Sequence, residues 1–150
     1  MAAIVLAGAA TTAAEAQSGA VAGLRGSWSG SGQVRLEKGR EAVRCNASYV
    51  PRSGGTALGL SLRCASASGR VELRASLTVH GSRVSGSWEE RTYGLSGQVS
   101  GSASGSSLRL SFGGSVSGAM TVTTSGGSQS ISVRTDASAL KGVSVSLRRR

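Results

Sequence analysis

Residues 70–112 keep a strict two-residue beat. Val71, Leu73, Ala75, Leu77 and Val79 share one parity, while Glu72, Arg74, Ser76, Thr78 and His80 share the other. A helix cannot sustain this pattern, because its faces recur about every 3.6 residues, whereas successive side chains of a strand leave opposite faces of a sheet. Gly81-Ser82 then makes a turn, and Val84, Gly86 and Trp88 resume the apolar parity. Leu95, Gly97 and Val99 follow, then Leu108, Leu110 and Phe112, each run set off by Gly/Ser turn chemistry. The stretch predicts a meander of short antiparallel strands with one face in a core and one in water.

The same beat extends in both directions. Strands are predicted over residues 28–36, 42–50 and 57–64, and again over 116–123, 130–134 and 140–148. Only residues 136–140 leave room for a helical turn. Residues 51–56, Pro-Arg-Ser-Gly-Gly-Thr, are strong turn chemistry and make strands two and three a hairpin. If its register pairs Tyr49 with Leu60 and Ala47 with Leu62, Cys45 falls opposite Cys64. Cross-strand Cα atoms about 4.5–5.5 Å apart lie within disulfide reach. A Cys45–Cys64 disulfide is therefore expected, with two buried free thiols as the alternative.

About ten strands with short connections predict an all-β, single-domain, antiparallel up-and-down barrel; a two-sheet β-sandwich is the alternative. An even strand number lets the sheet close antiparallel and removes its exposed edges. Gly30, Gly86, Gly97, Gly101 and Gly118 fall on the inward parity and permit the bending that closure needs. Closure would bring Trp28 beside Leu147 and Arg149, so that Arg149 lies over the Trp28 ring as a lid on the barrel end.

The barrel would occupy residues 26–150, with 17–25 a mobile lead-in. Residues 1–16 read as a signal peptide or a truncated one: an apolar run over residues 2–10 is followed by the small-x-small triplet Ala14-Glu15-Ala16. An Ala-rich tail is the alternative, since no Lys or Arg precedes the run. The run is too short for a membrane span. Export agrees with one disulfide and places the protein in the periplasm or outside the cell.

Gly26-Ser27-Trp28 on the first strand with an Arg on the last resembles the lipocalin and wider calycin barrels, which bind small apolar ligands inside. The order Gly-x-Trp-x-Gly, a Cys, Leu62-Arg63-Cys64-Ala65-Ser66, Gly86-Ser87-Trp88-Glu89-Glu90, Gly97, Gly101 and a terminal Leu-x-Arg is similar to a family of small exported proteobacterial proteins with no assigned activity. That resemblance implies export and a β fold.

Catalytic constellations do not assemble. Glu89 and Glu90 are adjacent, so they point to opposite faces of a strand and cannot flank one bond as an acid/base pair. His80, the single histidine, sits at a turn on the outward parity. One histidine alone makes neither a triad nor a zinc site. Glu90 shares the inward parity and needs a partner at the barrel rim, either an Arg or a row of backbone donors. With Trp88, Tyr49 and Met120 it forms the candidate lining of a ligand site inside the barrel. No metal or cofactor is expected.

Net charge is +10, from 17 Lys and Arg against 7 Asp and Glu. Such a chain is drawn to polyanions. Arg35, Arg44, Arg63, Arg74, Arg109, Arg134 and Arg148 recur at outward parity on different strands, which predicts charge spread around the wall. Specific nucleic-acid binding favours a basic patch interleaved with aromatics, and only Tyr93 is placed to help, so nucleic acid is not the expected partner. The expected function is non-enzymatic binding by an exported protein. Its ligand is either a small apolar molecule in the barrel or an anionic envelope polymer or lipid on the basic surface. The alternative is a periplasmic protease inhibitor. It rests on architecture alone, because small disulfide-bonded barrels with a mobile N-terminal segment include inhibitors of secreted metalloproteases.

Overall fold

The computed structural model describes residue 8 and residues 21–150; the rest of the expected signal segment and residues 17–20 of the lead-in lie outside the described residues. The strands are β1 (Gly26–Leu36), β2 (Gly39–Arg52), β3 (Ala57–Ser66), β4 (Gly69–His80), β5 (Arg83–Glu90), β6 (Leu95–Ser104), β7 (Ser107–Gly114), β8 (Gly118–Ser125), β9 (Ser128–Thr135) and β10 (Leu140–Arg149). Each pairs antiparallel with the next along the chain, and β10 pairs with β1, so the sheet closes as an up-and-down barrel. Two packed sheets with free edges, the sandwich alternative, are thereby excluded.

The registers follow the apolar parity. In the second hairpin Tyr49 faces Leu60, Ala47 faces Leu62 and Cys45 faces Cys64. A slip of one residue would turn the whole apolar set of a strand into water, and this fixes the pairing. The disulfide Cys45–Cys64 joins β2 to β3 with Cα atoms 4.1 Å apart. At the seam Trp28 faces Arg149, Gly30 faces Leu147 and Val34 faces Val143. Gly30 is required here: a Cβ on it would overlap the Ser146 carbonyl oxygen of β10. Residues 136–139 contain no helical turn and run straight into β10.

The inward side chains fill the barrel. Trp28, Cys45, Tyr49, Val84, Val122, Ile131 and Leu147 are all at most 1% exposed, and they belong to a single apolar cluster. Toward the opposite end Leu36, Leu73, Leu95, Phe112, Val133 and Leu140 are half-buried and pack onto that cluster.

The lead-in differs in part from expectation. Residues 21–24 form a helical turn, with Val21 1% and Leu24 4% exposed against the barrel end. Their apolar side chains gain more by covering Trp28 and its neighbours than a free tail would by mobility. The Trp28 indole Nε1 donates to the Leu24 carbonyl at 2.9 Å. From the other side of the seam, the Arg149 guanidinium lies 4.3 Å from the Trp28 ring centroid. It also donates to the carbonyls of Gly23, at 2.8 Å, and Arg25. A cation at the last carbonyls of a helical turn is favourably placed.

The disulfide encloses a loop with a sequence separation of 19. On the chain-entropy estimate its loss costs about 3 kcal/mol. The variant Cys45→Ala/Cys64→Ala is expected to show that loss in urea unfolding, with an unchanged far-UV spectrum. Unreduced protein should titrate no free thiol.

Candidate binding surface

The interior residues that were candidates for a ligand site each have a partner inside the protein. Tyr49 on β2 is 1% exposed and its hydroxyl donates to Gln129 Oε1 on β9 at 2.8 Å, reaching past β1 and β10. Gln129, itself buried, passes the chain on to Thr124 Oγ1 at 3.3 Å. Burial pushes the Tyr49 phenol well above its ordinary range. Met120 on β8 lies between Leu110 and Val133 in register and is buried.

Trp88 on β5 donates its Nε1–H to the Gly113 carbonyl at 3.0 Å and meets Phe112 edge-on at 5.7 Å between centroids. The indole reaches that carbonyl because Gly97 has no side chain. A Cβ at Gly97 would come within 2.8 Å of the indole nitrogen and overlap the Gly113 oxygen. Tyr49, Met120 and Trp88 are only 1%, 4% and 8% exposed, so their side chains are taken up by packing inside the protein.

Of the two partners expected for Glu90, an Arg or a row of backbone donors, it has the donors. Its carboxylate accepts N–H bonds from Glu72 at 2.7 Å, Tyr93 at 2.7 Å and Thr92 at 3.1 Å. It thereby caps the turn between β5 and β6 and ties it to the start of β4. Desolvation at the rim raises its carboxyl, but the donors from Glu72, Tyr93 and Thr92 outweigh that and hold it below the usual carboxylate range. Glu41 acts similarly at the β3–β4 turn, where the Ser68 hydroxyl and N–H lower it. His80 ends β4, exposed and cross-strand from Arg83. Among the described residues no group of three or more His, Cys, Asp or Glu side chains could hold a metal ion.

The large concavity is on the outside. About 1000 Å³ of space lies in a trough over the outer face of β1–β6, where barrel twist makes the wall saddle-shaped. Two register rows form its floor: Ser48, Ser61, Arg74, Glu89 and Ser96, and beside them Val50, Gly59, Ser76, Ser87 and Gln98. Most of these side chains are small, which leaves the space above them open. Four arginines line it, Arg52, Arg63, Arg74 and Arg150, against the single carboxylate Glu89. Arg63 pairs with Glu72 at 3.3 Å but stays 63% exposed, and Glu89 is engaged by Arg91 at 3.4 Å. Exposed pairs of this kind contribute about 0–1 kcal/mol and leave the arginines available.

The charge is thus less evenly spread than parity alone predicts. Curvature gathers Arg63 and Arg74 with Arg52 and Arg150, two residues that no strand pattern singled out. Parity placed each arginine outside, but which of them share a hollow depends on the bend of six strands. A closed antiparallel barrel is compatible with the calycin resemblance. No model of a known protein family matches the chain, and no curated protein matches it.

Glu90 yields a pH test. Its folded pKa is lowered, so its contribution is present above the unfolded carboxylate pKa, near 4.3, and is lost as pH falls through the folded value. Glu90→Gln replaces an acceptor by a donor facing N–H groups and is expected to cost about 2 kcal/mol at pH 7. The gap from wild type in urea midpoint should narrow below about pH 4. An equal loss at pH 7 and pH 3 would show that the charge is not what holds the turn.

Proposed function

We propose that this chain is an exported, non-enzymatic binding protein that holds an anionic component of the cell envelope on the concave outer wall of its barrel. The observation that carries this reading is the position of the concavity: it lies outside, with four arginines and one carboxylate along it. A filled interior gives the protein its shape, and the trough gives it a predominantly positive surface. Placement outside the cytoplasm is supported by the Cys45–Cys64 bond and by the resemblance to small exported β proteins. No helix of the described residues is long and apolar enough to cross a membrane.

The other readings require more. A small apolar ligand among Trp88, Glu90, Tyr49 and Met120 would have to displace the hydrogen bonds and packing those residues already have, or lift the turn that covers Trp28. Protease inhibition by residues 17–24 would need Val21 and Leu24 to leave the apolar cluster in which they are buried.

Purified protein mixed with isolated cell envelopes should sediment with them at 0.1 M salt and be released toward 1 M, as the Debye length shrinks from about 10 Å to about 3 Å. Arg52→Gln/Arg74→Gln should reduce the bound fraction several-fold. Arg109→Gln/Arg134→Gln, which removes the same charge from β7 and β9, should not. Equal losses for the two pairs would mean that net charge, and not the trough, governs attachment.

A further inference from the structure

The chemistry of the trough narrows the class of anion it takes. We infer that its ligand is a linear acidic polysaccharide, lying across β2–β6 with its hydroxyls on the serine floor and its acid groups on Arg52, Arg63 and Arg74. This inference rests on the concave wall being the binding surface.

Three observations favour a polysaccharide. First, more than half of the floor consists of short hydroxyl and amide side chains. Ser48, Ser61, Ser76, Ser87 and Gln98 are donors and acceptors at once, which suits a ligand that presents hydroxyls along its whole length. The arginines supply planar forks that donate paired N–H bonds to a carboxylate or phosphate.

Second, the wall has no aromatic face. Trp28 and Trp88 border the trough but are only 0% and 8% exposed, Tyr49 is buried, Phe112 is half-buried, and Tyr93, 62% exposed, belongs to the β5–β6 turn and does not line the trough. Single-stranded nucleic acid draws its affinity from bases stacked on aromatic rings as well as from charge, and it finds no such ring here.

Third, the surface is concave. A bilayer presents a flat plane of headgroups, so it would meet the rims of the trough and leave Arg74 and the serine row behind. Membrane-surface proteins also carry exposed Trp, Phe or Leu for the interface, whereas the trough exposes only Val50, at 46%. An extended polymer can follow the hollow. Five inter-strand steps from β1 to β6 span about 24 Å at the usual spacing. The hollow's volume of about 1000 Å³ is at the upper end of what drug-sized ligands occupy, roughly 300–1,000 Å³.

The test is a calorimetric titration with four probes at 0.1 M salt. They are oligogalacturonate of about eight units, neutral dextran of the same length, a twelve-residue thymidine oligonucleotide, and vesicles containing phosphatidylglycerol. Oligogalacturonate is expected to bind, and neutral dextran to bind at least tenfold more weakly. Arg52→Gln/Arg74→Gln should weaken oligogalacturonate by about 10–30-fold, from roughly 1 kcal/mol for each charged contact, and Arg109→Gln/Arg134→Gln by less than threefold. Ser76→Trp fills the trough without changing charge and should also abolish binding, with its melting temperature near that of wild type.

Tighter binding of the oligonucleotide or the vesicles, with the same dependence on Arg52 and Arg74, would overturn the polysaccharide and leave the basic wall standing as the site. Equal binding of dextran and oligogalacturonate would overturn it as well. If no probe distinguishes the two arginine pairs and Ser76→Trp changes nothing, the polysaccharide and the concave wall both fall.

Discussion

The rest of the structure depends on β1 finding β10. Nine hairpin pairings alone would make a long twisted sheet with two open edges, and each edge would present unpaired N–H and C=O groups. Pairing from Trp28–Arg149 through Val34–Val143 removes both. The clasp at the barrel end forms only on this seam. Arg149 can reach the Trp28 ring and the carbonyls of Gly23 and Arg25 because the register sets it beside Trp28. Cation–π attraction and the two hydrogen bonds then reward a contact between distant parts of the chain, whose loop-closure cost grows only slowly with length. Cover of the end by Val21 and Leu24 and closure of the wall are thus one event.

Ten strands enclose more room than eight, and a barrel of this size can hold a ligand. Here the inward glycines change the outcome. At Gly30 and Gly97 the neighbouring backbone comes so close that no Cβ fits. The Trp88 ring folds over Gly97 to reach Gly113, and the Tyr49 hydroxyl crosses to Gln129. Interior space that small side chains would leave open is occupied by the rings of Trp28, Tyr49 and Trp88. Twist meanwhile bends the outer face into a saddle, so the hollow of this molecule lies on the side that faces water.

Much of this could be read from the residues. Parity identified the strands and their inner faces, and turn chemistry at residues 51–56 fixed the register that puts Cys45 opposite Cys64. That Glu90 needs a partner followed from the cost of burying a carboxylate; that backbone donors and not an Arg supply it did not. Other features were not legible, for physical reasons. Residues 21–24, Val-Ala-Gly-Leu, are too short to show helical periodicity, and their turn is held by contacts to Trp28 and Arg149 from elsewhere in the chain. The trough was hidden because it is a property of curvature across six strands, whereas parity reports only in or out. A sequence pattern could place Arg63 and Arg74 outside; it could not say that Arg52 and Arg150 join them.

The way the arginines are mounted matters as much as their number. Each long side chain is itself flexible, but Arg63 and Arg74 rise from adjacent strands of a closed, disulfide-stapled wall, so the distance between their roots is fixed before any ligand arrives. Ordering costs on binding are then confined to side-chain rotamers, about 0.5–1.5 kcal/mol for each long side chain immobilised. On a loop, the backbone would have to be ordered as well. The exposed pairs Arg63–Glu72 and Arg91–Glu89 act in the same direction: too weak to neutralise the wall, they still restrain where the guanidinium of Arg63 and the carboxylate of Glu89 lie. A rigid barrel with a filled interior is therefore well suited to presenting charge at fixed spacing, and fixed spacing is what distinguishes one repeating polyanion from another.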